Sequence, residues 1–216
     1  MSAVHRPRSE YRASFDAAIS FSNGGDLAAH GFKVDVPGTE FAIDELTLIG
    51  NTATYLDAPY HRYPDGADLS SIPLARTVDL PAIVVRVTGT QQHGVDVGAL
   101  AALDISGTAV LLHTGDDARF GSPAYAEDRH FLTRAGAAWL AASGAALVGI
   151  DALNIDDTDD GNRPAHTLLL AAGIPVVEHL TGLEQLPPSG ARFTALPLRI
   201  EGFGTIPVRA FARLPE

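Results

Sequence analysis

The sequence contains no cysteine, a single lysine (Lys33) and no long hydrophobic run. The missing cysteines exclude disulfides, thiolate metal ligands and cysteine nucleophiles. One lysine and a formal net charge of −11 leave no basic stripe for a phosphate backbone, so we expect no nucleic-acid partner. No run approaches the roughly eighteen apolar residues of a membrane span, and the N-terminus has no apolar core of signal-peptide length. We therefore expect a cytoplasmic protein without a membrane partner.

The length and the residue patterns indicate one domain with a dominant β-sheet. A chain of 216 residues fits a single domain, which we place at residues 1–216 with a flexible tail over residues 1–12. Alternating or β-branched runs predict at least five strands. These runs are FKVDV, EFAIDELTLIGNTATYL, AIVVRV, TAVLLHT and AALVGID. The closing segment FTALPLRIEGFGTIPVRAFARL predicts two further strands joined by a glycine turn.

Helices are few in this sequence. The segment TRAGAAWLAASG predicts a helix that Thr133 caps and Gly144 ends. Its predicted apolar stripe consists of Leu132, Ala135, Trp139 and Leu140. A shorter helix is predicted at AHTLLLAAG, directly before the strand IPVVEHL. The fold class is therefore mixed α/β.

The segment NTATYLDAPYH, residues 51–61, concentrates polar groups at alternate positions. In an extended chain Asn51, Tyr55, Asp57 and His61 project to one face. Pro59 stiffens the turn between Asp57 and His61, so a carboxylate and an imidazole can be held at a fixed separation, as acid–base chemistry requires. A turn-capping aspartate followed by a solvent-facing histidine explains the same spacing, and both interpretations remain open.

A second candidate pair is His166 and Glu178. His166 begins the shorter predicted helix, and Glu178 lies on the strand that follows the turn at Gly173. Helix–turn–strand geometry can fold these two side chains back onto each other. The residues alone do not decide between a functional and a structural role.

The segment at 51–61 resembles a degraded copy of the motif H-x-G-T-H-x-D-x-P-x-H. This motif marks the cyclase family, which includes bacterial kynurenine formamidase, isatin hydrolase and certain polyketide ring cyclases. The resemblance extends over about residues 45–212, through VLLHTG, AYAEDRHFLTRAGAAWLAASGAALVGIDALNID, HTLLLAAGIPVVEHLTGLEQLP and ALPLRI…PVRAFA. It implies an α/β fold with a mixed, partly closed β-barrel-like sheet and flanking helices, assembled as a homodimer or larger homo-oligomer.

The resemblance also implies roles for matching residues. Asp57, His166 and Glu178 match divalent-metal ligands of the family, and His61 matches its acid–base residue. Thr54 and Pro59 also match. Three positions depart from the motif: Asn51 and Tyr55 replace histidine ligands, and Ala53 replaces glycine.

The two lost imidazoles weaken any metal site, because an amide oxygen is a poor ligand and a phenol rarely ionises unaided. The retained set still suits zinc, manganese or magnesium, and a metal-free site is the open alternative. Without a metal, the Tyr55 phenol and the Asn51 amide can donate hydrogen bonds to a substrate carbonyl. Asp57 or Glu178 would then orient His61.

Three hypotheses follow for a small-molecule substrate. The first is a kynurenine formamidase-like hydrolase or cyclase acting on an amide, lactam or similar carbonyl compound, with a weakened divalent metal and His61 as the acid–base. The second is a metal-independent cyclase or isomerase, in secondary metabolism for example, that uses Tyr55, His61 and Asn51. The third is a non-catalytic binding or scaffold protein. Arg119, Phe120 and Tyr125 are candidates for the substrate pocket, and covering a core edge is their alternative role.

Overall fold

The computed structural model describes residues 4–5, 28–33 and 42–215, in two compact units, Met1–Ala53 and Thr54–Glu216. The first unit contains β1 (Val4–His5), β2 (Ala28–Lys33) and β3 (Ala42–Thr47), which form an antiparallel sheet in that order. Within the predicted tail, Val4–His5 is thus a strand, and the other residues of 1–12 lie outside the described residues, as do residues 34–36 of the predicted strand FKVDV. The assignment to a single domain stays a prediction.

The second unit is built on a mixed eight-stranded sheet. The strands of this unit are β4 (Tyr55–Asp57), β5 (Leu80–Arg86), β6 (Gly94–Val95), β7 (Ala109–His113), β8 (Phe131–Leu132), β9 (Leu147–Ile150), β10 (Val176–Glu178), β11 (Ser189–Thr194), β12 (Thr205–Pro207) and β13 (Phe211–Arg213). Strands β6 and β8 pair with each other, and the other strands form the large sheet. The order in the large sheet is β12-β4-β10-β9-β7-β5-β11-β13. The four central strands β10, β9, β7 and β5 run parallel, and the strands outside them pair antiparallel.

Helices cover little of this unit. They are α1 (Val97–Leu100), α2 (Arg134–Ala142) and α3 (Pro164–Ala171), with 3₁₀ turns at Pro59–His61, Leu74–Arg76, Asp116–Arg119, Pro123–Ala126 and Leu183–Gln185. Among the described residues, none of these helices has the length and apolarity to span a membrane.

Helix α2 begins and ends as its sequence predicts, but its buried face differs. The Thr133 side chain accepts from the Gly136 amide, and Gly144 beyond the last turn has φ +77°. Ala135 is exposed, and the buried positions are Gly136, Ala137 and Leu140. The predicted stripe was wrong at Ala135 because the packing face lies one residue further along the helix.

The middle of the sheet is buried on both faces, as is typical of parallel strands. All residues of β7 and β9 are buried, which explains their near-continuous apolar sequences AVLLH and LVGI. One face packs with α2 and α3 around Val110, Val148 and Leu169, and the other face forms a second core around Leu111 and Val177. Because β7, β9 and β10 are parallel, their carboxyl ends meet at one edge of the sheet.

The closing segment corrects one prediction. Instead of two strands joined by a glycine turn, it forms β12 and β13 at opposite edges of the sheet, after β11. Strand β12 pairs with β4, with Thr205 opposite Asp57, and β13 pairs with β11. This pairing places the C-terminal strand β12 beside Asp57.

Candidate active site

Asp57 lies at the centre of the candidate site. It ends β4, between β10 and β12, and its side chain is completely buried. One carboxylate oxygen, Oδ1, accepts a hydrogen bond from the Thr205 hydroxyl at 2.6 Å. The other, Oδ2, lies 3.3 Å from Nε2 of His166. A buried carboxylate needs such partners, because isolated burial of a charge is costly.

His166 lies in the first turn of α3, and Asp156 contacts the Nδ1 side of its ring. The Nδ1 atom lies 2.6 Å from Asp156 Oδ2. Asp156 also accepts from the backbone amides of Ala165 at 2.6 Å and His166 at 3.2 Å, so it caps the helix from the loop that precedes it. Since a carboxylate only accepts, Nδ1 carries a proton. The remaining nitrogen, Nε2, is aimed at Asp57 and at Glu178, whose Oε1 lies 3.8 Å away.

Glu178 ends β10 and is also completely buried. Its Oε1 accepts from the Ile155 amide at 2.5 Å, and its Oε2 accepts from the Tyr55 hydroxyl. Burial raises the pKa of Glu178, and the positive charge of His166 opposes that rise. Burial alone would lower the pKa of His166, but the negative charge of Glu178 and the bonds to Asp156 and Asp57 raise it overall. Glu178 and His166 therefore form a mutually compensated buried pair.

His61 lies at the rim of this cluster, on the 3₁₀ turn after β4. Its side chain is 36% exposed, and its Nδ1 lies 2.8 Å from the Thr205 hydroxyl and 3.7 Å from Asp57 Oδ1. Its ring centroid is 5.9 Å from that of His166. Gly204 makes this position possible, because a Cβ there would approach the His61 N and Cα atoms to 2.6 Å.

An aromatic cluster adjoins the site through His179. This residue follows Glu178 with φ +56°, is buried, and places its ring centroid 5.3 Å from that of Tyr55. The Tyr125 and Phe120 rings lie 5.6 Å and 6.2 Å from it. Burial lowers the pKa of His179 to about 4, although the Leu153 carbonyl favours the charged ring. Neither ring nitrogen meets hydrogen-bond geometry with a described residue.

Arg119 and Asn51 are two further predicted contacts to the substrate. The Arg119 guanidinium donates to Asp116 at 2.7 Å and to the backbone oxygens of Glu127 and Asp128, so it secures its own loop. Asn51 is half-buried and belongs to the first unit. The proposed contact of each with substrate stays a prediction.

The structure thus brings together side chains from three segments of the chain: Tyr55, Asp57 and His61 from β4 and the turn after it, His166 from α3, and Glu178 from β10. The sequence interpretation missed Asp156, Thr205 and His179. Asp156 and His179 lie in segments that resemble the cyclase family, but no spacing marks either residue. Thr205 becomes visible only through the pairing of β12 with β4.

The cluster offers a suitable donor set for a divalent ion. Single ligand atoms of Asp57, His61 and His166 all lie within 4.8 Å of one another, and Glu178 adds a carboxylate oxygen. The Asp156–His166 hydrogen bond supports this fit, because histidine ligands usually donate their other ring N–H to a carboxylate. Asp57, His166 and Glu178 could therefore hold the ion.

A second group of possible ligands lies at the ends of β7 and β9. Ligand atoms of His113, Asp117 and Asp151 approach one another within 4.8 Å. Here Nδ1 of His113 lies 3.4 Å from the Arg86 guanidinium, and Asp151 accepts from the amides of Thr114 and Gly115. Burial raises the pKa of Asp151. Because Arg86 already supplies positive charge, this group has the character of a structural network.

Comparisons with known proteins find similar sequences and similar folds. The family model described as "Putative cyclase" matches residues 9–157. A kynurenine formamidase of Geobacillus thermodenitrificans (strain NG80-2) is 29% identical over 172 residues, which cover 79% of each chain. The crystal structure of an isatin hydrolase bound to the product analogue thioisatinate superposes with a TM-score of 0.78 at 24% identity, covering 90% of this chain and 84% of that one. A potential metal-dependent hydrolase with cyclase activity superposes with a TM-score of 0.68 at 30% identity, covering 77% and 80%.

The predicted fold, with a mixed and partly closed barrel-like sheet, is confirmed, and so is the predicted family. The polar cluster lies where β4, β10 and α3 converge, and the family match includes the motif that carries Asp57 and His61. The chain belongs to the cyclase family and is an enzyme of its hydrolase and cyclase group.

Proposed function

We propose that the protein is a metal-dependent hydrolase that cleaves the C–N bond of a small amide, formamide or lactam. The observation that carries this proposal is the buried convergence of Asp57 Oδ2, His166 Nε2 and Glu178 Oε1 beside His61 at the rim. The names of the relatives, a formamidase and an isatin hydrolase, support an amide-type bond as the target.

The buried carboxylates and His166 would hold a divalent ion. When bound, that ion would supply positive charge that polarises the substrate carbonyl. Asp156 keeps the Nδ1 proton of His166 in place, so that Nε2 faces the carboxylates. The Tyr55 hydroxyl and the Ile155 amide hold the two oxygens of Glu178. These bonds fix the donor atoms before any ligand arrives.

His61 moves the protons in this proposal. As general base it takes a proton from water while the water oxygen bonds to the carbonyl carbon. The C–N bond then breaks, and His61 returns the proton to the leaving nitrogen. Its partly exposed position at the rim suits both steps, because substrate and water can reach it while Asp57 remains buried.

Phe120 and Tyr125 support an aromatic substrate. Their rings are 5.3 Å apart at an interplanar angle of 76°, and both adjoin His179 beside the site. Edge-to-face contacts with a substrate ring would extend this cluster.

The proposal is tested by hydrolysis of an aryl formamide, an aryl lactam and matched esters, before and after removal of metal by a chelator. We expect C–N hydrolysis that chelation abolishes and that zinc, manganese or magnesium restores. His61→Ala should lower turnover by about two to four orders of magnitude in a folded protein. Full activity after complete metal removal would instead support a metal-independent reaction, and no turnover of any carbonyl compound would support a binding role.

A further inference from the structure

The Thr205 hydroxyl bridges Asp57 and His61, two of the polar residues of the 51–61 motif. It lies 2.6 Å from Asp57 Oδ1 and 2.8 Å from His61 Nδ1, and the Thr205 side chain is buried. The strand register produces this bridge, because Thr205 is directly opposite Asp57 across β12 and β4. Gly204 allows the close approach of the His61 backbone, and the Ala58 amide donates to the Gly204 carbonyl at 2.7 Å.

The single proton of the Thr205 hydroxyl fixes the direction of both hydrogen bonds. A carboxylate oxygen can only accept, so the 2.6 Å contact with Asp57 uses the one hydroxyl proton of Thr205. The hydroxyl then has only lone pairs left for His61. A 2.8 Å contact with Nδ1 therefore requires that Nδ1 carries a proton and donates it to Thr205.

We propose that Thr205 is a positioning residue that selects the Nδ1–H tautomer of His61 and so makes Nε2 its basic atom. The role of Nε2 as the base rests on the proposed function. The tautomer itself is a property of the free protein and does not depend on that function. With Nδ1 committed to Thr205, the ring cannot also offer Nδ1 to an ion. His61 then serves as the base, and Asp57, His166 and Glu178 remain as the donor set.

The same bridge stabilises His61 after it accepts a proton. A proton gained at Nε2 makes the ring cationic, while the Thr205 hydroxyl and the Asp57 carboxylate 3.7 Å from Nδ1 face that charge. The hydroxyl connects the partly exposed ring to the buried carboxylate through two hydrogen bonds. This arrangement resembles a carboxylate that orients a catalytic histidine, with a hydroxyl inserted between the two groups.

The test uses ¹⁵N-histidine NMR of the full-length protein without substrate. The His61 signals are those missing from a His61→Gln variant. At a pH where the ring is neutral, we expect the wild type to show the Nδ1–H form. Thr205→Val removes the hydroxyl at nearly constant volume and should shift His61 toward the Nε2–H form, whereas Thr205→Ser should keep the wild-type pattern. An Nε2–H ring in the wild type, or identical spectra for wild type and Thr205→Val, would overturn the proposal.

Kinetics supply the second readout. Thr205→Val should lower kcat by about 10- to 100-fold with KM changed less than about threefold, because substrate binding does not use the hydroxyl. Thr205→Ser should restore most of the activity. Added to His61→Ala, Thr205→Val should cost no further activity. An additive loss would overturn the positioning role.

Thr194→Val is the matched control. Thr194 lies on β11, which five other strands separate from β12 in the sheet order, and its hydroxyl accepts from the Asp79 amide at 3.0 Å. The control loses one hydroxyl hydrogen bond but should leave the His61 spectrum and kcat unchanged. If the protein hydrolyses no C–N bond, the proposed function fails while the NMR result still decides the tautomer of His61.

Discussion

Replacement of Asp156 by asparagine tests how the site is built. The Asp156 carboxylate is buried and accepts three hydrogen bonds: from the Ala165 amide, the His166 amide and His166 Nδ1. An asparagine of the same shape has a single acceptor oxygen. That oxygen can serve either the Ala165 amide or the His166 ring, so at least one buried donor loses its partner.

The structure sets the size of the effect. A hydrogen bond to a charged group contributes about 1.5–3 kcal/mol, and the bonds that survive become weaker because the acceptor is neutral. We therefore expect the free energy of unfolding to fall by about 2–4 kcal/mol. For a protein of this size each kcal/mol moves Tm by about 2–4 °C, so Tm should fall by about 5–15 °C.

Metal affinity provides a second measurement on the same variant. If the new amide group turns its NH₂ toward His166, Nδ1 must become an acceptor, and the one proton of the neutral ring then lies on Nε2, the atom that faces Asp57. Divalent-metal affinity should then fall by about 10- to 100-fold.

Urea denaturation and metal titration measure the two effects. Asp159→Asn is the control, since Asp159 is exposed on the same loop and its replacement should change stability by less than about 0.5 kcal/mol. Equal stability and equal metal affinity of Asp156→Asn and Asp159→Asn would refute the reasoning.

Three further predictions concern neighbouring features. Tyr55→Phe removes the donor to the buried Glu178 carboxylate and should lower the free energy of unfolding by about 1–3 kcal/mol, and an unchanged urea midpoint would contradict this. Gly204→Ala places a Cβ 2.6 Å from the His61 backbone and should cost about 1–3 kcal/mol together with activity, whereas Gly98→Ala, where a Cβ meets nothing, should cost neither. Sedimentation should detect a homodimer or larger assembly, and a monomer at micromolar concentration would disprove that expectation.

Much of the fold follows from local sequence patterns. The parallel strands are short apolar runs because both faces of the sheet are buried, and α2 carries its cap at Thr133 and its terminating glycine at Gly144. The paths of β12 and β13 do not follow from such patterns. Their separation to opposite edges depends on pairing with β4 and β11, which lie far away in the sequence.

The candidate site divides in the same way. The motif residues Asp57 and His61 and the distal pair His166 and Glu178 could be predicted, because the resemblance to the cyclase family marks each position. Asp156 and Thr205 could not, since each acts through a contact between segments that no local spacing reveals. The sequence also left the orientation of Tyr55 open, and the structure directs its hydroxyl to Glu178.

Metal titration of the free protein tests the central claim most directly. In the proposed function, Asp57, His166 and Glu178 together form a divalent-metal site in spite of the two lost imidazole ligands. Calorimetric titration of the metal-free wild type with zinc and with manganese should give saturable binding at one site, and His166→Ala should weaken it by at least about 100-fold while Thr194→Val binds as the wild type does. Equal uptake by wild type and His166→Ala, or no saturable binding by the wild type, would contradict the account.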